Sequence, residues 1–348
     1  MKGMIEMELT MLIALVKQAL ARILIAPALL LVFSIPNVIA EENSKRTYYF
    51  VGAFLAHPYV RDIKLGFKYA SKKLNVNIAT LGPQGPDWDA QYKAMETAIA
   101  ANPDGIIVPL WVDNVVPLIV EARKKGIEVI AIEAAPENHN ANTYIGLDNY
   151  QAGLLTAREL VRIGGNKGKL GLVLNLASNT ALKKQGVIDG LKNTEWEIVA
   201  EVDDKTNTDQ ASQVTMKLLR DHPDISGLIG LNSSSGVGIG NAIGQLGLMD
   251  KDLAIVVHDR EDTVLEFIES GVIDSSIVAK TAMMSYLSIS LLEDYHNRVD
   301  EDIPVANDIS SIGITLLPEV VNIGAVVVNQ ENVSHFLRKN LVNSWKAE

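Results

Sequence analysis

The chain has 348 residues, 48% of them apolar, with 25 glycines, no cysteine and a formal net charge of −11. Such a length suits one large or two medium globular domains, and the absence of low-complexity tracts and short repeats argues against disorder beyond the chain ends. The acidic balance excludes nucleic acid and anionic membrane surfaces as natural partners, and the lack of cysteine excludes disulfides, thiolate metal centres and a thiol-linked lipid anchor.

Lys17 and Arg22 precede an apolar run over residues 23–33. Ser34, Ile35, Pro36 and Asn37 follow, then Val38, Ile39 and Ala40, then Glu41 and Glu42. This order is that of a secretory signal peptide cleaved near Ala40. A retained membrane anchor is the competing reading, but the run is short for a span and Pro27 and Pro36 interrupt it.

Beyond the leader, short apolar runs alternate with amphipathic stretches. Residues 48–54 read as a strand. Residues 62–74 read as a helix, with Ile63, Leu65, Phe67, Ala70 and Leu74 at helical spacing. A strand over 76–79 and a helix over 90–101 follow. Asn102, Pro103, Asp104 and Gly105 stop that helix before a strand over 106–108. Residues 114–125 form the next helix, closed at Gly126, and 128–132 the next strand. Further helices are expected over 150–163, 181–192, 210–220, 238–247, 263–270 and 283–294. Strands are expected over 169–174, 197–202, 227–231, 253–258 and 276–279. After Asp294 the helical rhythm stops, and residues 312–316 and 325–328 read as extra strands.

Runs such as Ile106-Ile107-Val108 and Ala254-Ile255-Val256-Val257 are apolar on both alternating faces. They indicate parallel strands covered by helices on each side. The number of strand–helix units exceeds what one open sheet of this length needs, so two successive α/β lobes are expected. A closed eight-stranded barrel is the alternative, for which the tail after Asp294 is awkward.

Three segments then carry a resemblance: His57-Pro58-Tyr59, Ile145-Gly146-Leu147-Asp148-Asn149-Tyr150-Gln151-Ala152-Gly153, and Val256-Val257-His258-Asp259. In this order, behind an export leader, they resemble the type I periplasmic sugar-binding proteins that feed ABC importers, the ribose-binding and autoinducer-2-binding group. The likeness runs from about Thr47 to the C-terminus. The ending Gly313-Ile314-Thr315-Leu316-Leu317-Pro318-Glu319, with Asn329-Gln330-Glu331-Asn332 after it, is more similar to the autoinducer-2-binding branch. The resemblance implies an α/β fold of two doubly wound parallel-sheet lobes joined by a three-strand hinge. Residues 45–147 with 281–308 would make lobe one, and 148–280 with 309–345 lobe two. The chain would cross near 147–149, 279–281 and 308–311. It implies a monomer without cofactor or metal that holds a small polar ligand, a sugar or polyol, between the lobes and serves a membrane permease or a receptor. A site at the C-terminal ends of the strands also follows physically for open parallel sheets.

The candidate ligand groups are placed by strand ends and by that resemblance. His57 and Tyr59 follow the first strand, where the family offers an asparagine and aromatics; Val60 stands where a second aromatic often occurs. Trp111 lies just past the strand before it. Glu133 ends the strand over 128–132, where ribose binders carry an Asp-Arg pair, and Ala134 replaces the arginine. Asp148 belongs to the first crossover, where it either meets ligand or ties hinge amides. Asn179 and Gln185 follow the strand over 169–174, Gln185 near the family's arginine. Asn232 and Asp259 close two later strands and match a family asparagine and aspartate. Lys280 falls where ribose binders have a glutamine. Each has a structural alternative in turn formation, helix capping or packing. Trp88 reads equally as a ring pinning a Pro/Gly-rich loop, and Trp196 as core.

Residues 233–238 resemble a phosphate-cradling loop only loosely and lack its Gly-Lys-Ser/Thr ending. The commoner metalloprotease, zinc and hydrolase motifs are absent from the sequence. Two other classes are carried forward. An exported carbohydrate-active enzyme would use Glu133 and Asp259 as its carboxylates. A transcriptional effector domain would need a helix-turn-helix where this chain has its leader.

Overall fold

The computed structural model describes residues 10, 11, 13–17, 45–250, 252–300 and 316–337. The apolar run of the leader, the cleavage point at Ala40, the crossing expected near 308–311 and most of the strand expected over 312–316 lie outside these residues. The chain divides into residues 1–45 and 46–348. In the first unit residues 10, 11 and 13–17 are helical, and Met11, Ile13, Leu15 and Val16 are exposed. Among the described residues no helix is long and apolar enough to cross a membrane.

The second unit opens with β1 (Thr47–Val51), α1 (Val60–Leu74), β2 (Asn77–Leu81), α2 (Trp88–Ala100), β3 (Gly105–Pro109), α3 (Val116–Lys124), β4 (Glu128–Ile132) and β5 (Thr143–Gly146). It continues with α4 (Asn149–Gly164), β6 (Lys167–Leu174), α5 (Ser178–Leu191), β7 (Glu195–Asp203), α6 (Thr208–Asp221), β8 (Gly227–Gly230), α7 (Ser233–Leu246), β9 (Ala254–His258), α8 (Asp262–Glu269) and β10 (Ser275–Ala279). Last come α9 (Thr281–Asp300), β11 (Val320–Asn322) and β12 (Ala325–Asn329).

Two sheets result, in the orders β11-β5-β4-β3-β1-β2 and β12-β10-β9-β8-β6-β7. Strand neighbours run parallel, apart from β12 against β10. The alternation within β1 shows why both sheet faces are covered. Tyr48 and Phe50 pack with Ile63 and Phe67 of α1 and with Met284, Ile289 and Leu292 of α9. Val51 packs on the other face with Met95 and Ile99 of α2 and with Leu118 and Ile119 of α3. In the second sheet Leu170 and Leu172 join Leu160 of α4 and Val187 of α5. Val173 turns the other way, towards Leu218 of α6, Ile239 of α7 and Leu265 of α8. Trp196 is core as expected: its ring packs there and its indole N–H donates to the Gly165 carbonyl at 2.9 Å.

Four expectations are corrected. β1 stops at Val51: the Gly52 amide donates the last rung of the ladder, to the Leu81 carbonyl at 2.9 Å, and the chain turns away after it. α7 begins at Ser233 rather than near Gly238, since the Asn232 side chain accepts from the Ser234 and Ser235 amides and starts the helix there. β5, a four-residue strand, escaped notice within the longer Ile145–Gly153 signature. The last crossing falls at Ile323-Gly324, between β11 in the first sheet and β12 in the second. The segment assigned to lobe two from residue 309 therefore supplies a strand to lobe one. Asn322 makes the reversal: its side-chain oxygen accepts from the Gly324 amide at 2.9 Å, with Gly324 at φ 67°.

Candidate functional site

A crevice of about 390 Å³ lies between the halves, lined by the loops that leave the C-terminal ends of the strands. Lobe one supplies Phe54, His57 and Tyr59 after β1, Pro86 and Trp88 after β2, Trp111 and Val112 after β3, and Glu133 after β4. Lobe two supplies Asn175, Leu176, Ala177, Asn179, Thr180 and Lys183 after β6, and Asp203, Lys205 and Thr206 around the end of β7. Asn232 and Ser233 after β8 and Asp259 after β9 complete it. The structure thus brings His57, Tyr59, Trp111 and Glu133 opposite Asn179, Asn232 and Asp259.

Three expected residues stay outside. Gln185 is exposed on α5. Asp148 caps α4, accepting from the Gln151 amide at 2.9 Å, while its own amide donates to Asn322; of its two expected roles it takes the one at the hinge. Lys280 is exposed at the return crossing. Of the two lysines in the crevice that the reading missed, Lys183 and Lys205, Lys183 is the buried one, only 5% exposed. Its signal was present: Thr180, Lys183, Gly186, Val187 and Leu191 form the buried stripe of α5, and Gln185 falls off that helical spacing.

The lobe-one wall is aromatic. Phe54 stacks on Trp111 with ring centroids 4.4 Å apart, and meets Trp88 and His57 edge-on at 6.3 and 5.5 Å. Trp88 reaches this wall because the β2–α2 loop folds against the β1 loop. At Gly82, φ is 129° and an added Cβ would sit 2.1 Å from the Gly52 carbonyl oxygen, so only glycine permits the approach. Asp87 caps α2, accepting from the Ala90 amide at 2.9 Å. His57 Nδ1 accepts from the Tyr59 amide at 3.2 Å, and burial lowers the imidazole pKa. The ring is therefore neutral with its proton on Nε2.

Two of the crevice's carboxylates, Glu133 and Asp259, are built alike. β4 and β9 hold the same place in their sheets, and the residue after each is non-glycine in the left-handed region, Glu133 at φ 68° and Asp259 at φ 73°. Such residues cost on the order of 1–3 kcal/mol and persist only where neighbours hold them. The Ala134 amide donates to the Ile132 carbonyl at 2.8 Å, closing a tight turn about Glu133, and the Tyr144 hydroxyl donates to the Glu133 carbonyl at 3.0 Å. At Asp259 the Ser276 hydroxyl donates to the backbone carbonyl at 2.5 Å.

Burial pushes the Glu133 carboxyl up to about 7, opposed by a hydrogen bond from the Tyr59 phenol, assisted by the Asp259 charge and opposed again by Lys183. Asp259 is raised by burial, with Lys183 the opposing charge. One lysine thus faces two like-charged groups, one from each lobe.

Asn232 is more occupied than expected. Its oxygen caps α7, and its Nδ2 donates to Asp204 at 2.7 Å. Asp204, in lobe two, is fully buried and also accepts from the Ser235 hydroxyl at 2.5 Å and the Thr206 amide at 2.8 Å. Burial raises its pKa and these three donors resist the shift. What Asn232 can still offer the crevice is its second N–H, a donor and not an acceptor.

Residues 48–297 match the family model described as a periplasmic binding protein domain. The D-allose-binding periplasmic protein of Escherichia coli (strain K12) is 22% identical over 253 residues, 69% of this chain and 81% of that protein. Among solved structures, a glucose-galactose binding protein from Geobacillus stearothermophilus is 23% identical with a TM-score of 0.73, covering 83% of this chain and 99% of its own. An arabinose binding protein from the same organism is 25% identical with a TM-score of 0.72, covering 84% and 99%.

Proposed function

The chain belongs to the periplasmic binding protein family, and from that premise we propose that it captures a sugar or polyol in the periplasm for an ABC importer. The observation that carries this reading is the opposition of Glu133 on one lobe to Asp259 and Lys183 on the other, beside the wall of Phe54, Trp88 and Trp111. A polyhydroxylated ring suits this set. Its hydroxyls donate to the carboxylates and accept from Lys183, the Asn232 N–H and His57 Nε2–H, and its C–H faces lie on the aromatic rings. The named ligands of the relatives, D-allose, glucose, galactose and arabinose, have this chemistry.

No reaction is needed. A ligand that bonds to both lobes stabilises the shut form over the open one by its differential contacts, and the joined faces of the shut form are what a permease recognises. Export with cleavage near Ala40 and a monomeric state complete the proposal. A thermal-shift screen over sugars and polyols tests it. A ligand at 100 times its Kd stabilises the native state by about 2.7 kcal/mol, and the compound is recovered unchanged. Silence across the whole screen, or turnover of the bound compound, would refute the proposal.

A further inference from the structure

The crevice holds more apolar surface than a bare polyhydroxylated ring requires. Leu176 enters it from lobe two and is 84% exposed. It is held out by construction: the Asn175 side chain accepts from the Ala177 amide at 3.2 Å, bridging across Leu176, and from the Thr180 hydroxyl at 2.7 Å. The amide nitrogen of Asn175 donates to Thr206 at 3.0 Å. A large apolar side chain fixed in solvent is unfavourable, and its exposure has meaning where it joins other apolar groups. Here the same crevice is lined from lobe one by Pro86, Trp88, Trp111 and Val112. The charged set of Glu133, Lys183 and Asp259 already accounts for hydroxyl recognition, and one face of a ring needs only one aromatic partner.

We infer that the ligand is a sugar or polyol bearing an apolar substituent, as in an alkyl or aryl glycoside, with the substituent held between Leu176 and the Trp88–Trp111 wall. This rests on the sugar-binding reading and specifies its ligand class. Burial of the substituent adds apolar contact without touching the polar set, so affinity rises with substituent size until the space is filled.

Calorimetric titration of the full chain with D-allose, D-arabinose, D-glucose and D-galactose, and with the methyl and phenyl glycosides of each in both anomers, provides the test. The expected result is that one phenyl glycoside binds about tenfold or more tightly than its free sugar, and that Leu176→Ser brings the ratio of the two affinities close to one. Leu176 is exposed, so the variant folds. Free sugars that bind as tightly as their glycosides, or a ratio unmoved by Leu176→Ser, overturn the inference and leave the sugar-binding reading standing. Binding by neither set overturns both.

Discussion

Glu133 couples the crevice to pH. With its carboxyl raised to about 7, the folded ligand-free protein keeps a proton that the unfolded chain releases near 4.5. The stability it contributes is whole below about pH 4.5 and is lost as pH rises through about 7, a change of up to roughly 3 kcal/mol. We expect the Tm of the ligand-free protein to fall across that window and Glu133→Gln to flatten the decline. Part of the slope remains, because Asp259 is shifted in the same direction. Asp204 is raised by burial as well, but it matters through the donors it holds. Asp204→Ala strands the Asn232 amide and the Ser235 hydroxyl in the interior without their acceptor. That change costs about 2–4 kcal/mol in urea denaturation, more than any exposed carboxylate would. Neither property could be read from residue type. The sequence marks Glu133 and Asp259 as strand-end carboxylates, but burial and the identity of their neighbours arise from loops of distant strands. Asn232 was legible as a site residue; that most of its bonding capacity is spent on α7 and Asp204 was not, because Asp204 lies 28 positions away.

At the level of elements, helix starts and strand ends place the side chains. Asp87 caps the helix that begins with Trp88, so Asp87→Ala is expected to cost about 1 kcal/mol and to loosen the ring, read as a change in tryptophan emission together with weaker ligand binding. Gly146 at the end of β5 matters through packing. A Cβ there would lie 2.1 Å from the Tyr144 hydroxyl, which bonds the Glu133 and Leu147 carbonyls. Gly146→Ala displaces that hydroxyl and releases the strained turn under Glu133, so ligand affinity should fall while far-ultraviolet circular dichroism stays unchanged. Long periodic helices such as α1, α4 and α6 were legible almost to their ends, since an apolar stripe spans their whole length. α7 was misplaced at its start because Ser233, Ser234 and Ser235 are buried without being apolar. β5 and β11 were missed because a strand of three or four residues shows no repeat. Lys183 hid because a lysine on a buried stripe looks like an interruption of it.

Over the whole molecule, the lobes touch through a reciprocal pair of ion pairs. Arg61 and Asp62 open α1 in lobe one; Arg260 and Asp262 flank the start of α8 in lobe two. Arg61 meets Asp262 and Arg260 meets Asp62, each at 3.3 Å. The first pair is half-exposed and the second largely shielded, with side-chain exposures of 26% and 11%. Their contributions should differ accordingly. Arg260→Ala is expected to weaken ligand binding about three- to tenfold, whereas Arg61→Ala stays within about twofold. Titrations at low and high salt check the assignment, since screening removes the exposed contribution first. The two-lobed architecture itself was legible, as it rests on counting apolar runs. The place of the last crossing was not, because it depends on which sheet edge a three-residue strand joins.

The three passages between lobes leave from β5, from β10 and from between β11 and β12, and these strands make up the edge pair of each sheet, β11 with β5 and β12 with β10. A body pinned along a single line can swing but cannot slide or twist freely. The jaws therefore have essentially one way to shut, and the same surface is remade each time a solute is caught. A cut of the chain after Asn322 would remove one pin, strip β12 from its sheet and take with it Val328, Val333 and Leu337 from the second core. Such a protein would keep the loops that touch solute and lose the guided stroke that makes their grip reproducible.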